Sequence, residues 1–187
     1  MNIYFYGGIF DPPHNGHYEI VMNCLKYADK FIIIPNKLSP NKKLLIDSCH
    51  RVNMLNLMFN QKNVDIDTFE IESAKKNYTI YTVDYLLKKY KGSRLIMVLG
   101  LDQYLDIKSW YRYEELINKV EIFCFNRGSI DIKNKITKKI KFIKDFNLDI
   151  SSTNIRNYII NSDNEKLKNS IHKNVLEYLT QNNLYAI

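Results

Sequence analysis

The segment Gly7-Gly8-Ile9-Phe10-Asp11-Pro12-Pro13-His14-Asn15-Gly16-His17 follows a short β-prone run, Asn2 to Tyr6, and leads into a helical pattern from about Asn15 to Tyr27. The order is strand, loop, helix. Two glycines at a strand end let the backbone approach a ligand closely and present its N–H groups, and the following helix N-terminus adds a fixed positive dipole. Together these make a phosphate cradle. His14 and His17 are three apart around a glycine at the helix start, so both can point into the cradle, where a protonated imidazole would stabilise charge on a phosphoryl group in flight. A Gly-Gly pair alone is most often only a turn. A His pair at this spacing is also a metal-binding pattern, but no third ligand is apparent nearby, and no protein-held metal is expected.

Outward from this segment the same alternation continues. Phe31 to Ile34 is a continuous apolar run stopped by Pro35, as expected of a strand buried on both faces of a parallel sheet. Asp47 to Phe59 shows helical spacing, and Val64 to Ile66 is a candidate third strand. Thr79 is a plausible N-cap for a helix through Tyr90 that turns Val83, Leu86 and Leu87 inward. Leu95 to Leu99, ended by Gly100, and Val120 to Phe125 read as the fourth and fifth strands. Lys141 to Phe142 with Asp149 to Ile150 reads as a sixth. Ser151-Ser152-Thr153 looks like a capping segment for a helix through Ile160, and two amphipathic stretches follow. Strands alternating with helices imply a parallel sheet with helices on both faces, and such sheets bind ligands beyond their C-terminal strand edge.

The chain has 187 residues, with 45% hydrophobic, 13% aromatic and 25% charged positions, which excludes disordered, collagenous and coiled-coil classes. Its length fits one domain, residues 1–187. Twenty-seven basic against 20 acidic residues give a formal charge of +7, so anionic partners are expected: nucleic acid, an acidic membrane or a phosphorylated small molecule. Cys24, Cys49 and Cys124 are odd in number, far apart and without CxxC spacing. A reducing cytoplasm fits best. No signal peptide is apparent and no apolar run approaches a membrane span, so a soluble cytoplasmic protein is expected.

The glycines form neither GxGxxG nor GxxxxGK[ST], which removes support for dinucleotide oxidoreductases and P-loop NTPases. The opening segment instead resembles the GG(T/S)FDPxHxGH motif of nucleotidyltransferases, specifically the bacterial-type nicotinate mononucleotide adenylyltransferases. The likeness continues in order. Pro35 to Lys42 (PNKLSPNK) is similar to the family's P-x4-PHK loop, and Cys49 to Met54 (CHRVNM) to its EHRxxM helix. Asn77 to Thr82 (NYTIYT) is similar to SYTxxT, Leu99 to Trp110 to GxDxxxxxxxW, and Asn126-Arg127-Gly128 to (S/N)RxG. Ile150 to Arg156 (ISSTNIR) matches ISSTxIR, and the ending Asn183-Leu184-Tyr185 is like the family's. Three positions depart from the pattern: Ile9 for Thr or Ser, Asn41 for His, and Leu101 for a small residue.

The resemblance implies a Rossmann-like α/β fold, a parallel sheet with helices on both faces and a small C-terminal helical part. It implies adenylyl transfer from ATP to nicotinate mononucleotide, giving deamido-NAD and pyrophosphate, with Mg²⁺ bound together with ATP. His14, His17 and Arg156 would be catalytic. Gly7, Gly8, Ile9, Phe10, Lys42, Gly100, Asp102, Ser151, Ser152 and Ile155 would bind ATP. Tyr78, Thr79, Trp110 and Arg127 would bind the mononucleotide, Trp110 by stacking on the pyridine ring. N–H donors near Tyr78 and Thr79 would favour the acid over the amide, because a carboxylate only accepts hydrogen bonds. No nucleic acid or membrane partner is expected, and a homo-oligomer is left open. The alternatives are a phosphopantetheine-type adenylyltransferase and a non-catalytic nucleotide-binding regulator.

The run Lys133 to Lys144 carries six lysines and no intervening exposed aromatic pattern, which suits a solvated face better than a nucleic-acid surface. No acid lies between those lysines. His50, His172 and the cysteines have no chemical partner legible in the sequence and read as structural.

Overall fold

A computed structural model describes residues 1–37, 46–74, 77–125, 140–143 and 150–185. Its centre is a sheet of six strands: β1 (Asn2–Gly8), β2 (Lys30–Pro35), β3 (Val64–Ile66), β4 (Arg94–Gly100), β5 (Glu121–Phe125) and β6 (Ile140–Ile143). The order is β3-β2-β1-β4-β5-β6, and every pairing is parallel. The chain leaves β1 toward β2 on one side and later returns as β4 on the other, so the order reverses at β1. At such a switch point the loops part and leave a crevice beyond the strand ends.

The apolar runs explain the strands. Phe31, Ile32, Ile33 and Ile34 are each 0% exposed, as the reading of a strand covered on both faces requires. Alternate side chains of β1 feed two cores: Tyr4 and Tyr6 face the one containing Ile20, Met54, Phe123, Ile155 and Val175, while Ile3 and Phe5 face the one containing Val83, Leu86, Met97 and Leu116. The first core is covered by helices α1 (Asn15–Leu25) and α2 (Ser48–Met58), and by three others further along the chain: α7 (Ser152–Ile160), α8 (Asn164–Ser170) and α9 (Lys173–Gln181). The second lies under α4 (Thr79–Lys89), α5 (Leu101–Asp106) and α6 (Tyr113–Lys119), and a short α3 (Phe69–Glu72) follows β3. The last three helices are the C-terminal helical part expected from the sequence.

Several local expectations change. Ser151 caps α7 as read, its hydroxyl accepting from the Asn154 N–H at 3.1 Å. Thr79 does not cap α4. Tyr78 occupies that position in an extended conformation, and Thr79 is the first helical residue. The sixth strand is Ile140–Ile143; Ile150 lies outside it and Asp149 outside the described residues. Of the lysine run, only Lys141 is described, its ammonium 3.8 Å from the Tyr27 ring centroid.

Phe123 ties the first core together, with its ring 5.3 Å from that of Tyr4, 5.6 Å from that of Phe125, and itself 1% exposed. Phe123→Ala is expected to cost about 3–5 kcal/mol of unfolding free energy in urea titrations, through lost transfer energy and the cavity left behind. A cost under about 1 kcal/mol would mean this core does not hold the sheet.

Candidate active site

The C-terminal ends of β1 and β4 open into two adjoining cavities. The first, about 460 Å³, is lined by Gly7, Gly8, Ile9, Asp11, His14, His17, Gly100, Asp102, Gln103, Ser151, Ser152 and Arg156, among others. The second, about 410 Å³, is lined by residues that include Gly7, Glu70, Asn77, Tyr78, Thr79, Thr82, Gln103, Trp110 and Tyr111. Gly7 and Gln103 belong to both. Backbone fills little space at this junction: a Cβ on Gly8 would stand 2.8 Å from the Phe10 ring, and one on Gly100 2.5 Å from Asp102 Oδ1.

The loop from β1 to α1 is fixed from several sides. Phe10 has φ 53, a left-handed conformation uncommon for a bulky residue, and its buried ring stands edge-on to His17 at 4.8 Å. Behind the loop, Arg51 of α2 is 0% exposed, and its Nη1 donates to Ile9 O at 2.6 Å and to Asn36 O at 2.9 Å. Burial pulls the Arg51 guanidinium below its ordinary value, and nearby Asp11 and Tyr185 work against that pull. From α7, the Ser152 hydroxyl donates to Pro12 O at 2.9 Å and Arg156 Nη1 to Asp11 O at 2.6 Å. Arg156 Nη2 also donates to Thr153 Oγ1 at 3.1 Å.

His14 is 2% exposed and its ring stacks on that of His17 with centroids 3.7 Å apart. The His14 backbone N–H donates to His17 Nδ1 at 3.2 Å. That bond requires a lone pair on Nδ1 and therefore assigns the ring hydrogen of His17 to Nε2. With Nδ1 so engaged, Nε2 is the ring nitrogen left to donate toward the cavity.

The two cavities gather most of the residues expected from the sequence. Gly7, Gly8, Ile9, His14, His17, Gly100, Asp102, Ser151, Ser152 and Arg156 meet in the first; Tyr78, Thr79 and Trp110 meet in the second. Phe10 and Ile155 are exceptions. Both side chains are buried in the first core and do not line the cavity, and the Ile155 N–H donates to Ser151 O. Lys42 and Arg127 lie outside the described residues.

Other residues were missed. Gln103 bridges the cavities. Glu70, 7% exposed, brings a carboxyl group into the second cavity, where the sequence had promised donors only. Its Oε1 accepts from the Thr82 hydroxyl at 2.6 Å, while its backbone carbonyl accepts from Asn77 Nδ2 at 2.6 Å. Burial raises the Glu70 pKa, and the Thr82 bond opposes that rise. The signal available in sequence was a Glu nine positions before Thr79, in a polar stretch without periodicity. His50, read as partnerless, has its Nδ1 2.9 Å from the Tyr178 hydroxyl.

Among the described residues, no group of three or more His, Cys, Asp or Glu is placed to hold a metal ion, and no helix is long and apolar enough to cross a membrane.

Comparison with known proteins agrees with this geometry. Residues 5–158 match the cytidylyltransferase-like family. A probable nicotinate-nucleotide adenylyltransferase of Leptospira interrogans is 31% identical, covering 97% of this chain and 95% of its own. The corresponding protein of Fusobacterium nucleatum is 34% identical over 95% of this chain and all of its own length. The nicotinate-nucleotide adenylyltransferase of Bacillus subtilis is 29% identical over 96% of each. In fold, the chain is similar to Plasmodium falciparum nicotinic acid mononucleotide adenylyltransferase complexed with NaAD, with a TM-score of 0.79 at 24% identity over 98% of this chain and 97% of that one. An ordered set of motifs, their convergence at one sheet edge, and full-length relatives above 30% identity lead to one assignment: the chain belongs to the nicotinate-nucleotide adenylyltransferases of the cytidylyltransferase-like family.

Proposed function

We propose that this chain, as one nucleotidyltransferase domain, transfers the adenylyl group of ATP to nicotinate mononucleotide, giving deamido-NAD and pyrophosphate. The observation that carries this reading is the pair of adjoining cavities sharing Gly7 and Gln103. A dinucleotide has the same plan, two nucleoside halves joined by a diphosphate. The first cavity offers glycine backbone, two histidines and an arginine to phosphates; the second offers Trp110 and the N-terminus of α4 to a ring bearing an anionic group.

An oxygen of the mononucleotide 5′-phosphate forms a bond to the α-phosphorus of ATP, and the bond from that phosphorus to the α,β-bridging oxygen breaks as pyrophosphate leaves. A phosphate monoester with a second pKa of about 6 is already largely dianionic at neutral pH. No general base is needed. The protein's part is alignment and charge stabilisation. His17 Nε2–H donates to the transferring phosphoryl group, and His14 fixes the His17 ring by stacking and by its backbone N–H. Arg156 and Lys42 neutralise the triphosphate, Asp102 accepts from a ribose hydroxyl, and Trp110 carries the pyridine ring. Arg127 is assigned to the mononucleotide by its motif. Mg²⁺ bound with ATP would keep ATP oxygens and water as ligands and would supply charge neutralisation beside Arg156 and Lys42.

Glu70 modifies the reading of acceptor choice. Neutral, it tolerates a carboxylate in the cavity; ionised, it opposes one. Because burial favours the neutral form, a preference for the acid persists above the pH at which an exposed glutamate would ionise.

With ATP, pyrophosphate release is expected with nicotinate mononucleotide, with kcat/KM about tenfold or more lower for the nicotinamide form, whose amide hydrogens meet N–H groups. Higher turnover with phosphopantetheine, or ATP binding without release to any acceptor, would replace this assignment by one of its alternatives. His17→Ala is expected to lower kcat by about 10²–10³ with an unchanged melting temperature, as loss of a preorganised donor does; near-normal kcat would remove His17 from the mechanism. For Glu70, folding favours the protonated form, so its stabilising contribution is complete below the ordinary value of 4.5 and is lost as pH rises through the raised value. Glu70→Gln, permanently neutral, should therefore melt higher than the wild type at pH 7, by about 2–4 °C for each kcal/mol recovered, with the difference closing toward pH 4. A pH-independent difference would contradict the assignment of this carboxyl.

A further inference from the structure

Tyr185 lies beyond α9, 174 positions from Asp11, yet its hydroxyl donates to Asp11 Oδ1 at 2.5 Å. Asp11 is 4% exposed and follows directly on the left-handed Phe10. A bulky residue keeps such a conformation only where its surroundings over-determine it. Four side chains hold this stretch: Arg51 on Ile9 O, Arg156 on Asp11 O, Ser152 on Pro12 O, and Tyr185 on the Asp11 carboxylate. Arg156 and Ser152 line the first cavity, where phosphates would compete for their donors. Arg51 and Tyr185 do not line it. Arg51 grips only the start of the stretch, which leaves Tyr185 as the one side chain of the four that holds Asp11 without facing the ligand.

We propose that Tyr185 is a positioning residue for the nucleotide: through Asp11 it sets the loop that carries Gly8 to His17, without touching substrate. The hydroxyl is suited to this task. Burial, then the bond to Asp11, push the Tyr185 pKa well above the ordinary tyrosine range, so the hydroxyl stays a donor throughout the working pH range. Asp11 lies beside the buried Arg51 guanidinium, so the same carboxylate also faces the cation that holds Ile9 O and Asn36 O. Three elements distant in sequence, α2, α7 and the turn after α9, thereby act on one loop. The inference rests on the reading that this loop receives the ATP phosphates; it does not depend on which acceptor is used.

The test is calorimetric titration of a non-hydrolysable ATP analogue into folded variants, together with steady-state KM values for the mononucleotide. Tyr185→Phe, which removes only the hydroxyl, is expected to weaken the analogue about tenfold, since sub-ångström misplacement of a binding loop has effects of that order. The mononucleotide KM should stay within about twofold of the wild type. Asp11→Asn keeps an acceptor oxygen for Tyr185 and should weaken the analogue by no more than about threefold, whereas Asp11→Ala should match Tyr185→Phe. Combining Asp11→Ala with Tyr185→Phe should add less than about twofold, because two members of one interaction are not additive. A merely structural tyrosine would lower the melting temperature and leave the analogue's Kd unchanged. That result, equal weakening of both substrates, or full additivity of the two changes, would overturn the proposal. Failure of the acceptor assignment would register separately, as analogue binding without pyrophosphate release to the mononucleotide.

Discussion

Arg51 places a guanidinium with no solvent exposure between two strand exits, holding Ile9 O of the β1–α1 loop and Asn36 O just beyond β2. The backbone ladder continues into the same place, where the Asn36 N–H donates to Gly8 O at 2.8 Å. Burying such a charge is costly, and removing one side of a buried charge interaction typically costs about 3–5 kcal/mol. Among the described residues its Nε and Nη2 have no hydrogen-bond partner, which adds to that cost. The Asp11 carboxylate offsets part of it electrostatically. The return is a loop whose carbonyls are anchored on the core side, so its N–H groups and the two histidines are presented to the cavity.

The same sheet edge supplies both halves of the site. Reversal of strand order at β1 opens the crevice, Gly7 keeps its floor low, and Gln103 stands where the two cavities meet. The lining of the first cavity is cationic and dipolar. That of the second is aromatic, with Trp110, Tyr78 and Tyr111, the Tyr78 and Tyr111 rings 4.4 Å apart. Glu70 sets the polarity of that second cavity, and Thr82 holds its carboxyl in place.

Strands were legible because their apolar runs are uninterrupted and burial on both faces leaves no polar alternation to confuse them, as at Phe31 to Ile34. Helices α3, α5 and α6 were not read. They span four, six and seven residues, too short for a helical period to emerge, and α5 begins directly at the end of β4. In the site, Gly7, Gly8, His14 and His17 were legible because loop and helix start fall together in sequence, and Ser152 and Arg156, far along the chain, through the resemblance of ISSTNIR to a known motif; the fold brings all six to one cavity. Membership of a motif does not say where a side chain points: those of Phe10 and Ile155 lie in the first core. Glu70, Gln103 and Tyr185 act through tertiary placement alone. The contact of the His14 N–H with His17 Nδ1 likewise exists only in the folded turn.

The central claim is that one dinucleotide spans two cavities across Gly7. A crystal structure with deamido-NAD bound tests it most directly. The expected electron density has the adenylyl phosphate against Gly8 and His17 Nε2, the diphosphate crossing at Gly7 and Gln103, and the pyridine ring beside Trp110 with its carboxylate toward the N-terminus of α4. A dinucleotide folded into one cavity, or with its pyridine ring outside the Trp110 side, would contradict the account.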